Sequence, residues 1–235
     1  MSNNYFQFKQ FCIHHDRCAM KVGTDGVLLG AWAPFEEPRR ILDIGTGSGL
    51  IALMMAQRFP QAEVTGIDID EAAIGQAQEN VDSSPFANRI RLSLNSLQDA
   101  SLEPGSFDAI VCNPPFFEES LLPPDEGRRT ARHAATLPFD VLAQRVASLL
   151  TPEGRFCVIM PVDNFDAFHH LCFAQGLHLQ VRCLVKTSPK KNPKRVMACF
   201  GKRDCSHIDE RLLVLTDANG RSEQYVSLTS DFYLH

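Results

Sequence analysis

The sequence predicts an α/β fold of βαβ units, and three observations carry that expectation. Apolar runs of strand length alternate with segments of helical spacing from residue 41 onward, the order that produces βαβ units. The first run, Ile41-Leu42-Asp43-Ile44, passes through Gly45-Thr46-Gly47-Ser48-Gly49 into an apolar helix over 50–59 that stops near Pro60. The second run, 62–67, closes on Asp68, and an acid at that point of a βαβ unit can hold both hydroxyls of a ribose.

Each element follows from local chemistry. Phe6, Phe8, Phe11 and Ile13 alternate like a short strand or hairpin. Thr24 or Asp25 is suited to cap a helix through Val27, Leu28 and Trp32, which Pro34 and Pro38 end. In the glycine turn, glycines admit unusual dihedrals and let a ligand approach the backbone, and the helix start adds free N–H groups. Asp70 caps a helix over 71–81. Residues 89–94 form a third strand followed by Asn95-Ser96-Leu97, and 107–112 a fourth that ends in Asn113-Pro114-Pro115-Phe116. A helix over 138–150 places Phe139, Leu142, Val146 and Leu149 at core spacing; a fifth strand covers 154–160. A helix over 163–175 is expected to be capped by Asp163 or a residue near it and closed by Gly176, before two final strands over 177–186 and 194–200. Past residue 206, 212–215 and 225–228 are expected to pair as a hairpin around Asp217-Ala218-Asn219-Gly220, Asn-Gly being a favoured hairpin turn.

Length and composition bound the reading. The 235 residues, 44% hydrophobic, suffice for one domain, divided here into 1–40, a core over 41–203 and an extension over 204–235. No apolar run reaches membrane-span length, and residues 1–10 lack the pattern of a signal peptide. Eight cysteines without a Cys-x-x-Cys pair, several inside apolar runs, read as reduced core thiols of a cytoplasmic protein. His14-His15 and His169-His170 lack further partners at ligand spacing, so no metal is expected. The sequence leaves the oligomeric state open, with a monomer favoured. The net charge of −5 argues against a wholly basic nucleic-acid binder but leaves room for a local basic patch.

Two groups of residues carry chemistry. The glycine turn with Asp68 marks a nucleoside cofactor, and two classes compete. The dinucleotide fingerprint Gly-x-Gly-x-x-Gly serves a pyrophosphate; here the third glycine comes one position earlier and Asp43 stands two before the first. That carboxylate would repel a pyrophosphate and suits the positively charged end of S-adenosylmethionine. Asn113-Pro114-Pro115-Phe116 is the second group. Proline fixes its own φ and keeps the preceding residue extended, so the Asn113 side-chain oxygen and the Pro114 carbonyl can accept both hydrogens of a planar amino group. Phe116 can lie against the ring bearing it.

Together these motifs resemble the class I S-adenosylmethionine-dependent methyltransferases of the amino-methylating branch, over about residues 20–200. The resemblance implies a Rossmann-like, doubly wound, mostly parallel sheet of seven strands with helices on both faces, the final strand reversed. It also implies roles. Asp43, Gly45, Gly47 and Gly49 would line the methionine end of S-adenosylmethionine, with S-adenosylhomocysteine as product. Asp68 would hold the ribose, Ser96 and Leu97 would flank the adenine, and Thr24 would close over the cofactor carboxylate. Asn113, Pro114 and Phe116 would be catalytic. More narrowly, Lys21-Val22-Gly23-Thr24-Asp25-Gly26-Val27-Leu28-Leu29, the clamp and the stretch from Arg128 to His133 resemble a bacterial family of tRNA methyltransferases. That family modifies the 6-amino group of the adenine beside the anticodon of a valine tRNA.

Two basic segments could grip such an RNA. Lys186, Lys190, Lys191, Lys194, Arg195, Lys202 and Arg203 follow one another without an acid, and Pro189 and Pro193 favour an exposed loop among them. Arg128, Arg129, Arg132 and His133 form the second, whose alternative is local pairing with Asp125 and Glu126. Rival acceptors are the 2-amino group of a ribosomal guanine, whose enzymes often carry a duplicated domain, and a protein glutamine, where Tyr is usual as the fourth clamp residue. A non-catalytic RNA-binding protein is the remaining alternative, and the intact glycines, Asp68 and Asn113 speak against it.

Overall fold

The structure, a computed structural model, describes residues 4–18, 21–115 and 137–234. A hairpin of β1 (Tyr5–Gln7) and β2 (Cys12–His14) precedes α1 (Thr24–Trp32). Then β3 (Arg40–Ile44), α2 (Leu50–Arg58), β4 (Glu63–Asp68), α3 (Glu71–Asp82), β5 (Ile90–Leu94) and β6 (Phe107–Cys112) follow in βαβ order. The second half holds α4 (Phe139–Leu149), β7 (Leu150–Pro161), α5 (Val162–Ala174), β8 (His178–Lys186) and β9 (Arg195–Gly201). It closes with β10 (Asp209–Val214), the small hairpin β11 (Thr216–Asp217) and β12 (Gly220–Arg221), and α6 (Glu223–Thr229).

The central sheet runs β10-β8-β9-β7-β6-β3-β4-β5. Among the described strands of this sheet only β9 is reversed, antiparallel to both β7 and β8. The expected α/β class and reversed strand are present, but the sheet has eight strands. The added one, β10, pairs parallel to β8 at the edge. Each face carries its own core because side chains alternate along the strands. In β9, Met197 and Cys199 join the core beneath α1 and α2, while Val196, Ala198 and Phe200 join the core beneath α4 and α5. All eight cysteines are free. Among the described residues, no helix is long and apolar enough to cross a membrane.

Two local expectations are corrected and one, the cap of α5, is narrowed. Gly23, extended at φ −115°, is the N-cap of α1 and offers no side chain, so Thr24 and Asp25 fall in the first turn. Pro161 takes the cap position of α5, which moves Asp163 inside the helix. Residues 225–228 are helical, not a strand. The Ser222 hydroxyl accepts from the Tyr225 amide at 3.1 Å, and Tyr225 and Thr229 bury one face at i, i+4 spacing. The Asn-Gly turn itself does form, between β11 and β12.

The end of α2 is closed from a distance. Arg89 donates from Nη2 to Ala56 O at 2.6 Å and from Nη1 to Phe59 O at 3.1 Å and Ala62 O at 3.0 Å. One guanidinium thus satisfies the Ala56 carbonyl in the last turn of α2 and bonds two carbonyls just beyond it, and it sits favourably against the helix dipole. Arg89→Met should therefore lower unfolding free energy by roughly 2–3 kcal/mol in urea denaturation; a loss below about 0.5 kcal/mol would contradict this account.

Candidate active site

The cavity lies where the chain reverses its winding. β3 is flanked by β4 on one side and β6 on the other, and ligands of open α/β sheets sit at the carboxyl ends of strands at such a switch point. Ile44 and Cys112 are register partners at the ends of β3 and β6. The glycine turn and Asn113 therefore start side by side. The cavity between them has a volume of about 570 Å³, within the roughly 300–1,000 Å³ range of small-molecule sites.

The glycine turn is held by its neighbours. Gly45, Gly47 and Gly49 have φ of 70°, 54° and 80°, a region that L side chains rarely adopt. Gly45 and Thr46 donate to Ile67 O at 2.9 and 3.0 Å. A side chain on Gly45 would meet no protein atom within 4 Å, so it would project into open space where a ligand can lie. Asp68 Oδ2 accepts from the Gly47 amide at 2.8 Å and Oδ1 from the Asp70 amide at 3.0 Å. Each carboxylate oxygen keeps further lone-pair capacity for a hydroxyl.

Asp43 is fully buried behind this turn. Its Oδ2 accepts from Thr46 Oγ1 at 2.7 Å and the Ala52 amide at 3.1 Å, while Oδ1 has no partner. Burial pushes its carboxyl up to about 7, against the opposing effect of those two hydrogen bonds. A buried, half-satisfied carboxylate calls for a cation. With the open glycine backbone and the Asp68 oxygens, the residues fit a nucleoside that carries positive charge.

Of the residues expected from sequence, Gly45, Gly47, Asp68, Ser96, Leu97, Asn113 and Pro114 line the cavity. Thr24, Asp43 and Gly49 are not among its lining residues. Thr24 is exposed on α1. Gly49 starts α2 and faces α3, where an added Cβ would stand 3.4 Å from that of Ala77. Phe116, Arg128, Arg129, Arg132 and His133 lie outside the described residues.

Sequence reading missed the groups that hold the walls. Arg145 of α4 donates from Nε to Leu97 O at 2.9 Å and from Nη2 to Ala100 O at 3.0 Å, fixing the turn after β5. In that turn the Ser96 hydroxyl donates to Asp99 Oδ2 at 2.7 Å, and Asp99 lines the cavity too. On α3 the buried Asn80 bonds both backbone groups of His14, at 2.9 and 2.8 Å, and donates to Ser48 O at 2.9 Å. That side chain ties the N-terminal strap to the glycine turn, and the strap continues to Cys18 on the cavity wall. No local pattern signals these residues, because their partners are distant in sequence.

The basic run after β8 divides. Lys190, Lys191 and Lys194 are exposed on the turn between β8 and β9, at the carboxyl edge of the sheet, with Lys186 at the end of β8. Arg195 begins β9 and donates from Nε to Asp25 Oδ2 at 2.8 Å. Lys202 and Arg203 lie past the far end of β9, where Lys202 donates to Leu150 O and Arg203 pairs with Glu153. They do not belong with the other five.

The raised carboxyl of Asp43 sets a pH dependence. Its folded-state pKa lies above the unfolded value, so the stability it contributes is full at low pH and is lost as pH rises through about 7. A cation bound beside it favours the ionised form. Affinity for a cationic nucleoside should therefore rise with pH through that region, and Asp43→Asn should flatten the profile. Calorimetric titration with S-adenosylmethionine between about pH 6 and 8 reads this directly; a flat profile in the parent protein would contradict it.

Comparison with known proteins agrees with this geometry. The sequence family described as Methyltransferase small domain matches residues 23–137. A tRNA1(Val) (adenine(37)-N6)-methyltransferase of Bacteroides fragilis is 47% identical over 238 residues, spanning 100% of this chain and 99% of that protein. The protein of the same name from Salmonella typhi is 42% identical, spanning 100% of this chain and 96% of its own length. Among solved structures, a protein of Agrobacterium tumefaciens described as a predicted O-methyltransferase superposes with TM-score 0.68. It covers 90% of this chain and 98% of its own at 18% identity. A TehB-like SAM-dependent methyltransferase of Corynebacterium glutamicum gives 0.51 over 77% and 89%, at 19% identity. At such low identity these two speak to the fold alone. The sequence likeness runs the full length of the chain, which belongs to the tRNA1(Val) (adenine(37)-N6)-methyltransferase family.

Proposed function

We propose that this chain methylates the 6-amino group of adenine 37 in tRNA1(Val), the acceptor named for its relatives, with S-adenosylmethionine as donor. The observation that carries the reading is the placement of Asn113 and Pro114. They leave β6 at the cavity wall, one strand away from the glycine turn.

When bound, S-adenosylmethionine supplies an electrophilic methyl group on a sulfonium. The chain's own work is to present and activate the amine. An adenine amino nitrogen is a poor nucleophile because its lone pair is delocalised into the ring. The Asn113 side-chain oxygen and the Pro114 carbonyl accept its two hydrogens, which favours a pyramidal nitrogen. As positive charge develops on that nitrogen both hydrogen bonds strengthen, so the pair stabilises the transition state more than the ground state. The proton can leave to water afterwards, so no dedicated strong base is required. Holding the amine in line with the methyl group supplies much of the remaining acceleration. The base must leave its stack to enter, and an anticodon-loop nucleotide does so at lower cost than one in a duplex.

Lys186, Lys190, Lys191 and Lys194 offer cations on the same edge of the sheet as the clamp, suited to the RNA backbone. Free thiols and a tRNA substrate support a cytoplasmic location.

Asn113→Ala should bind S-adenosylmethionine as the parent does and lose roughly 10²–10³-fold in the rate of transfer to tRNA. Single-turnover kinetics with near-parental rates would sink the clamp assignment. Replacing Lys190, Lys191 and Lys194 together by Ala should weaken tRNA binding and reduce the slope of log K against log salt by roughly 0.7–0.9 for each lost phosphate contact. An unchanged slope would remove the lysines from the RNA site.

A further inference from the structure

Arg195 stands in the basic run, yet its surroundings differ from those of the lysines beside it. It opens β9 in register with Pro161 of β7 and Val185 of β8, so strands on both sides hold its backbone. Its Nε donates to Asp25 Oδ2 at 2.8 Å and its Nη1 to Lys194 O at 3.2 Å. Both side chains of the pair are only about a third exposed, at 33% and 31%. Asp25 in turn occupies the first turn of α1, whose cap position is a glycine without a side-chain hydrogen bond. The helix start is thus tied down from β9 instead of by a cap.

The next residue shows what that tie positions. An added Cβ on Gly26 would stand 3.1 Å from Leu50 Cδ2 and 3.9 Å from Asn113 Nδ2. The first turn of α1 is therefore a wall against the clamp amide. On its other side Arg195 continues into the lysine-bearing turn, which is fastened by Lys194 N to Val185 O at 3.1 Å and by Val162 N to Lys194 O at 3.3 Å.

We propose that the Asp25–Arg195 ion pair is a positioning device: it sets the first turn of α1 against Asn113 and links that turn to the RNA-facing loop. Arg195 serves the geometry of the clamp and not a phosphate. The proposal rests on the tRNA methyltransferase reading. A displacement on the order of 1 Å at a reacting group can cost about a hundredfold in rate, so a loosened helix start acts on turnover while leaving RNA affinity alone.

The test compares the parent with Arg195→Gln, Asp25→Asn and the variant carrying both. Measured are kcat and KM for tRNA, calorimetric binding of S-adenosylmethionine, and the salt dependence of tRNA binding. Each single variant should lose roughly 10–100-fold in kcat with the salt slope of the parent, and the double variant should lose no more than either single one. If Arg195 held a phosphate, Arg195→Gln would lower the salt slope by roughly 0.7–0.9 with kcat intact, and Asp25→Asn, by freeing the arginine, would tighten RNA binding. Either of those results overturns the proposal, as does additive loss in the double variant. If a single variant is unfolded by circular dichroism, the charge-exchanged chain Asp25→Arg with Arg195→Asp decides: recovered turnover supports the pair, and a folded chain without it refutes the pair. Failure of the parent to methylate tRNA overturns the functional reading itself; a competent parent with variants of unchanged kcat overturns the pair alone.

Discussion

The structure depends most on how the Asp68 carboxylate is used. One oxygen accepts the Gly47 amide of the turn after β3, and the other accepts the Asp70 amide where α3 begins. The carbonyl of the same residue accepts Asn95 N at 2.9 Å, at the end of β5. Three loops at the carboxyl edge are thereby fastened to the end of β4. An acid that lines the cavity is also the group that fixes its walls, so the protein's own bonds shape the cavity. Preorganisation of this kind spares the ordering cost at the moment of binding.

The clamp depends on the sheet in a similar way. Ile44 and Cys112 are in register, so the glycine turn and Asn113-Pro114 are separated by one strand spacing and share one rigid base. Burial behind the glycine turn pushes the carboxyl of Asp43, next in sequence to Ile44, up to about 7. α1 closes the assembly from the other face of the sheet. Its backbone at Gly26 approaches Asn113, and its Asp25 reaches the start of β9. Asn113, the start of α1 and the turn between β8 and β9 are thus linked through one helix turn.

Much of this was legible in the sequence because the signals are local. A glycine turn after an apolar strand, an acid closing the next strand, an Asp cap on α3 and Asn-Pro-Pro after β6 are each contiguous patterns with a backbone cause. What escaped depends on tertiary partners. Arg145 and Asn80 meet groups 48 and 66 residues away and look like ordinary helix residues. Thr24 and Asp25 are good capping types, but the extended backbone fell one residue earlier, on Gly23. Tyr225 and Val226 favour strands, and the Ser222 cap with a buried helical face overrode that preference. The run of cations read as one patch until the seven residues of β9 separated its two ends.

The most direct test of the account is the chemical identity of the product. The parent protein would be incubated with methyl-labelled S-adenosylmethionine and, in parallel, with unmodified tRNA, ribosomal RNA and a protein extract, followed by nucleoside and amino-acid analysis. The account predicts label as 6-methylamino-adenosine from tRNA, at the position next to the anticodon. Label recovered as 2-methylamino-guanosine from ribosomal RNA, or as methylated glutamine, would contradict it while leaving fold and clamp in place.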